Sequence, residues 1–221
     1  MPAIHQLLEE YWGHKSFRPL QEEIINSVLQ GKDTLALLPT GGGKSICFQI
    51  PAIASDGICI VVSPLIALMK DQVENLVNRG IKAIAITSEM HKREIDIALD
   101  NCVYGDIKLL YLSPERLESD LVKIRLQKMK VNLIAIDEAH CISQWGYDFR
   151  PSYLKIKLLR ETLPNIPVLA LTATATPKVV KDIQQQLLFK KGNVFQKSFE
   201  RKNVSYIVLN EEDKLLLFGS S

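Results

Sequence analysis

The 221 residues are 47% hydrophobic and 24% charged, with 27 Lys and Arg against 25 Asp and Glu. That balance fits a globular chain able to bury a full core, and it excludes a disordered polyelectrolyte or a disulfide-stapled mini-protein. The longest apolar runs, such as 58–62 and 133–136, fall far short of the roughly 20 residues a membrane span needs.

In chain order, residues 1–6 lack the basic and apolar pattern of a secretory leader, so an intracellular protein is expected. Residues 3–30 read as two helices broken at Ser16-Phe17-Arg18-Pro19. Short apolar runs then alternate with amphipathic stretches. Strands are expected at 34–38, 58–63, 83–87, 108–112, 133–137 and 168–172, and helices at 44–54, 65–79, 92–101, 114–129, 153–162 and 177–188. Most strand runs are apolar at nearly every position, the pattern of strands covered on both faces. The alternation predicts an α/β domain, a mostly parallel sheet with helices on both faces and right-handed crossovers. Cys47, Cys59, Cys102 and Cys141 are far apart and form no Cys-x-x-Cys pair, so neither a disulfide nor a zinc site is expected. Residues 178–202 carry seven basic side chains against two acidic ones, a stretch that suits a solvated helix face or a phosphate-rich partner. Two β-type runs, 194–199 and 204–209, precede the charged Glu211-Glu212-Asp213-Lys214.

Pro39-Thr40-Gly41-Gly42-Gly43-Lys44-Ser45 follows one expected strand and opens one expected helix. Glycines let such a loop curl until successive N–H groups point inward, and the helix N-terminus adds its positive dipole end. Lys44, on a solvent-facing loop, would reach the β- and γ-phosphates, and the Ser45 hydroxyl would ligate Mg²⁺. The outer glycine of the strict phosphate-loop pattern is replaced by Leu38. Asp137-Glu138-Ala139-His140 ends another apolar strand, which sets its carboxylates on the ligand edge of a parallel sheet. Asp137 suits the metal's neighbourhood, and Glu138 suits polarisation of the attacking water. Thr172 and Thr174 end a strand at the same edge, where their hydroxyls can bond Asp137 or Glu138.

Across residues 7–210 the chain resembles the first RecA-like motor lobe of a superfamily 2 helicase of the RecQ family. Phe17-Arg18-Pro19-Leu20-Gln21 resembles the adenine-reading motif 0, and residues 39–45 resemble motif I, including its missing outer glycine. Residues 63–72 are similar to motif Ia, 113–117 to motif Ib, 137–140 to motif II and 171–176 to motif III. The most specific mark is Cys141-Ile142-Ser143-Gln144-Trp145-Gly146-Tyr147-Asp148-Phe149-Arg150-Pro151, which resembles the family's aromatic-rich loop.

The resemblance implies an α/β RecA-like P-loop NTPase fold and ATP with Mg²⁺ as cofactors. Nucleotide binding would fall to His14, Arg18, Gln21, Thr40, Gly41, Gly42, Gly43, Lys44 and Ser45. Gln21's amide, donor beside acceptor, suits the adenine edge, with Arg18 packing on the base. His14 stands where many relatives carry a tyrosine. Lys44, Asp137 and Glu138 would be catalytic, with Ser45 and Asp137 holding Mg²⁺. Trp145, Phe149, Arg150 and His140 would bind DNA or couple it to hydrolysis, since aromatics stack on bases without sequence preference. Tyr147 replaces a histidine frequent in relatives.

The expected organisation is a helical motif 0 segment at 1–30, an ATP-binding lobe at 31–210 and a boundary piece at 211–221. On this reading the chain is half of a motor, probed by single-stranded or partly duplex DNA and completed by a second RecA-like lobe. It would move 3′ to 5′, act as a monomer, touch no membrane, and reside in the cytoplasm at the nucleoid of a bacterium or in a eukaryotic nucleus. The isolated lobe would be nearly inactive in ATP hydrolysis. Two other readings stay open: a non-catalytic nucleotide-binding module and an RNA-directed helicase lobe.

Overall fold

The structure, a computed structural model, describes residues 3–39, 41–190 and 192–196. Thr40, the β-type run 204–209 and the piece 211–221 lie outside the described residues. The two N-terminal helices are α1 (Ile4–Trp12) and α2 (Gln21–Leu29). There follow β1 (Thr34–Leu37), α3 (Ile46–Ala54), β2 (Ile58–Val62), α4 (Ile66–Asn78), β3 (Ala83–Ile86), α5 (Lys92–Tyr104) and β4 (Leu109–Leu112). The remainder is α6 (Asp120–Leu126), β5 (Val131–Ile136), α7 (Ile156–Thr162), β6 (Val168–Thr172), α8 (Pro177–Gln186) and β7 (Asn193–Gln196).

Among the described residues the strands form one sheet in the order β3-β4-β2-β5-β6-β1-β7, and every pairing is parallel. Successive strand residues feed opposite faces, as the two-residue period of a strand requires. Leu35 and Leu37 join one core with Ile60, Val62, Ile134 and Ile136, closed over by α5, α6, α7 and α8. Ala36 and Leu38 join the other with Cys59, Val61, Leu133 and Ala135, closed over by α2, α3 and α4. Helix α1 packs through Leu7 and Leu8 against Ile25 and Ile50 of the same layer. Double coverage explains why the strand runs are continuously apolar rather than alternating.

Two expected helices are broken. Residues 114–129 form a 3-10 turn, Pro114–Glu118, then α6, with Ser119 extended between them. Leu117 and Val122 are both buried, yet five residues on one helix would turn them well away from each other. The kink at Ser119 lets both reach the core. Likewise residues 153–162 begin in a 3-10 turn, Pro151–Lys155, which runs into α7. Helix α5 continues to Tyr104, past the expected end at 101. The run 194–199 begins as β7, an edge strand on β1, and its residues beyond Gln196 lie outside the described ones.

At the opposite end of the sheet from the motif loops, Asp33 ties three elements together. Its carboxylate accepts from Arg160 at 2.8 Å, from the Val168 N–H at 3.1 Å and from the Lys190 N–H at 3.1 Å. Both charged partners are buried.

Candidate functional site

Strands β5, β6 and β1 are sheet neighbours, so the loops leaving their C-terminal ends converge. They carry Asp137 and Glu138, Thr172, and the 39–45 loop respectively. A cleft of about 810 Å³ opens there, lined by His14, Arg18, Gln21, Gly41, Gly43, Lys44, Ser45, Asp137 and Glu138. Residues from the N-terminal segment, the glycine loop and the acidic motif thus share one cavity. Trp145, Phe149 and Arg150 do not line it.

The loop needs glycine at 43 twice over. Its φ of +73° lies in the left-handed region, and a Cβ there would come 2.4 Å from the Gln21 amide nitrogen. That amide is engaged by the protein itself: Oε1 accepts from the Arg18 N–H at 2.8 Å, and Nε2 donates to the Gly43 carbonyl at 3.0 Å. The Arg18 guanidinium donates to the Gly41 carbonyl. Gln21 is buried, and serves as a strut between motif 0 and the loop.

Lys44 is not on a solvent-facing surface as expected. Its side chain is 15% exposed and its Nζ lies 3.1 Å from Glu138 Oε1. The other Glu138 oxygen lies 3.2 Å from His140 Nδ1. The hydrogen bond from His140, followed by the Lys44 charge, holds the Glu138 carboxyl down at about 2 despite partial burial. Asp137 moves the other way, raised first by burial and then by the neighbouring Glu138 charge. Glu138 itself sits at φ 46° and ψ 47°, a left-handed conformation uncommon outside glycine. The backbone around it is pinned by Tyr153, whose hydroxyl donates to the Asp137 carbonyl at 2.9 Å, and by the Asp137 N–H on the Val62 carbonyl.

The oxygens of Ser45 and Asp137 are a hard-donor pair of the kind that suits Mg²⁺. Both residues line the cleft, so this donor set fits the metal.

Thr172 does not bond either acid. Its hydroxyl donates to the Thr174 carbonyl at 3.2 Å, and its oxygen lies 2.9 Å from His140 Nδ1, the same ring nitrogen that faces Glu138. His140 therefore joins β6 to Glu138, and it is 3% exposed.

Beyond His140 the aromatic-rich loop turns back over α8. Ser143 donates to Asp182 at 2.6 Å, and Lys178 Nζ lies 3.1 Å from the centre of the Trp145 ring. Tyr147 stacks on His140 with ring centres 4.8 Å apart. Arg150 pairs with Asp148 at 2.9 Å, and Phe149 is half-buried. Lys178 passed unnoticed in the sequence as one lysine of a basic stretch, although its place just after Pro177, at the start of a helix, was legible. Gln72 and Gln49 were also without a role. They form a hydrogen-bonded chain to Ser45, with Gln49 donating to Gln72 at 2.9 Å and Gln72 to Ser45 at 3.0 Å.

A family model described as DEAD/DEAH box helicase matches residues 18–183. The chain is 45% identical over 214 residues to the probable ATP-dependent DNA helicase RecS of Bacillus subtilis, covering 96% of this chain and 43% of that protein. It is 49% identical over 211 residues to the ATP-dependent DNA helicase RecQ of Bacillus subtilis, covering 94% of this chain and 36% of that protein. The chain therefore spans less than half the length of these relatives. The Pyrococcus furiosus Hef helicase domain superposes with a TM-score of 0.62 at 22% identity, over 89% of this chain and 40% of that one, which supports the RecA-like fold. The chain belongs to the DEAD/DEAH box helicase family, and it is an α/β RecA-like domain similar over nearly its whole length to part of the RecS and RecQ helicases.

Proposed function

We propose that this domain binds MgATP in the 810 Å³ cleft and, joined to a second RecA-like lobe, drives a 3′-to-5′ DNA helicase. The observation that carries the reading is the meeting of Lys44 and Glu138, 94 positions apart in sequence, at 3.1 Å in one cleft. Lys44 exchanges Glu138 for the β- and γ-phosphates, and the freed carboxylate orients the attacking water. The Gly41–Gly43 backbone and the start of α3 hold the phosphate oxygens. Ser45 and Asp137 would hold Mg²⁺, which when bound would supply positive charge beside the phosphates. Gln21 reads adenine by exchanging a loop carbonyl for the base, with Arg18 packing on the ring and His14 beside it. The second lobe would supply arginines to the developing negative charge. The polarity and the DNA substrate rest on the resemblance to RecQ helicases.

The test is a titration of the 221-residue chain with a fluorescent ATP analogue. Removing one partner of a hydrogen-bonded charge pair costs about 2–5 kcal/mol, so Lys44→Ala should weaken binding by roughly 30-fold or more. Because Lys44 is held by Glu138 rather than by core packing, the melting temperature should change little. Equal affinity in the two proteins would remove the phosphate role.

Coupling to DNA is assigned to the aromatic-rich loop, whose Tyr147 stacks on the histidine that touches Glu138. In a protein carrying both lobes, Trp145→Ala should lower the DNA stimulation of ATPase about fivefold, the equivalent of one lost stacking contact of about 1 kcal/mol. Trp145 is 61% exposed, so its removal should move stability by no more than about 0.5 kcal/mol. An unchanged stimulation ratio with a marked fall in melting temperature would make the tryptophan a packing residue.

A further inference from the structure

We infer that Gln72 is a positioning residue for the Ser45 hydroxyl and that it links helix α4 to the Mg²⁺ requirement of nucleotide binding. The inference rests on the reading of Ser45 as a metal ligand and extends it. A serine hydroxyl has one proton and two lone pairs on a freely turning side chain, so nothing within the residue aims it. Here a neighbour does. Gln49, buried on α3, donates to Gln72 Oε1 at 2.9 Å. With its oxygen so engaged, the Gln72 amide turns its Nε2 toward Ser45 and donates to Oγ at 3.0 Å. One lone pair of Ser45 is thereby occupied, and the other is left for the cleft that both residues line.

The same segment reaches the second candidate ligand. Ser63, at the end of β2 just before α4, directs its hydroxyl to Asp137 Oδ2 across 3.5 Å, a long contact. A shift of the 63–72 segment therefore moves the surroundings of Ser45 and of Asp137 together. This route is separate from the one through Tyr147 and His140, since it approaches the cleft from α4, on the opposite face of the sheet from α8.

The experiment titrates the 221-residue chain with a fluorescent ATP analogue in EDTA and across a Mg²⁺ series. Gln72→Met keeps the length of the side chain and removes the donor. Loss of a residue that orients a metal ligand typically costs 10- to 100-fold in metal affinity, so the Mg²⁺ concentration for half-maximal tightening should rise about tenfold or more. Affinity in EDTA should stay within about twofold of the wild type, because no phosphate contact is lost. Gln49→Met, which frees the Gln72 amide to turn over, should move the Mg²⁺ midpoint in the same direction by a smaller factor. Gln72→Asn, too short to reach Ser45, repeats the test if the methionine variant does not fold. An unchanged Mg²⁺ midpoint in the Gln72 variants, or an equal loss of affinity with and without Mg²⁺, overturns the inference while leaving the nucleotide site intact. Wild-type binding that is indifferent to Mg²⁺ would overturn the ligand reading of Ser45 itself, and this inference with it.

Discussion

Glu138→Gln is expected to lower ATP turnover by about 10²- to 10⁴-fold in a protein carrying both lobes, the range lost with a general base. Nucleotide affinity should hold or rise, because the amide keeps the shape of the carboxylate and releases Lys44 from its ion pair. The geometry makes this separation sharp. Glu138 touches Lys44 on one side and His140 on the other, and in that arrangement its carboxyl is held down at about 2. A base so acidic takes up a proton poorly until one of its two partners leaves. On the proposed reading, phosphates that draw Lys44 away would also relieve its share of that hold on Glu138, and the amide would lose only this second effect. Steady-state ATPase beside equilibrium nucleotide binding checks the prediction. Turnover close to wild type would assign the base to another residue.

A comparable free energy is expected at the other end of the sheet, with the opposite readout. Asp33→Ala removes the counter-charge of Arg160, a guanidinium that is 6% exposed, together with the acceptor for two backbone N–H groups. Leaving a buried charge without its partner costs about 3–5 kcal/mol. For a domain of this size that corresponds to a fall in melting temperature of roughly 6–20 °C. Nucleotide affinity of the folded fraction should be unchanged, since Asp33 precedes β1 and the glycine loop follows it. The double replacement Asp33→Leu with Arg160→Met should recover part of the loss, because no ion then remains unpaired. A single-variant shift of less than about 1 kcal/mol would show that water reaches Arg160 freely.

The sheet was legible because its strands are buried on both faces, which leaves unbroken apolar runs such as Ile58–Val62 and Val168–Thr172. The glycine loop and the Asp137-Glu138 pair were legible because each lies at the end of such a run. Single-element periodicity could not reveal the break at Ser119, where the need to bury both Leu117 and Val122 outweighs helix continuity. Nor could it reveal partners brought together by the sheet order. Thr172 meets His140 from 32 positions away, and Asp33 meets Arg160 from 127 away. Gln21 was identified from its motif, yet its strut to the Gly43 carbonyl depends on how α2 packs beside the loop. Gln72 lay inside a quoted motif, but a surface glutamine and an orienting one look alike until the neighbouring helix is in place.

The contact between Lys44 and Glu138 also bears on how the cleft empties. A lysine that lost its phosphates to bare solvent would hold on to departing product. On the proposed reading, a carboxylate of the same chain stands ready to take the vacated position, so product would leave by exchange rather than by simple dissociation. Each hydrolytic round would then end with the cation re-covered and Glu138 returned to its quiescent, strongly acidic form. A single contact would thereby serve as both the reset and the idle stop of the cycle.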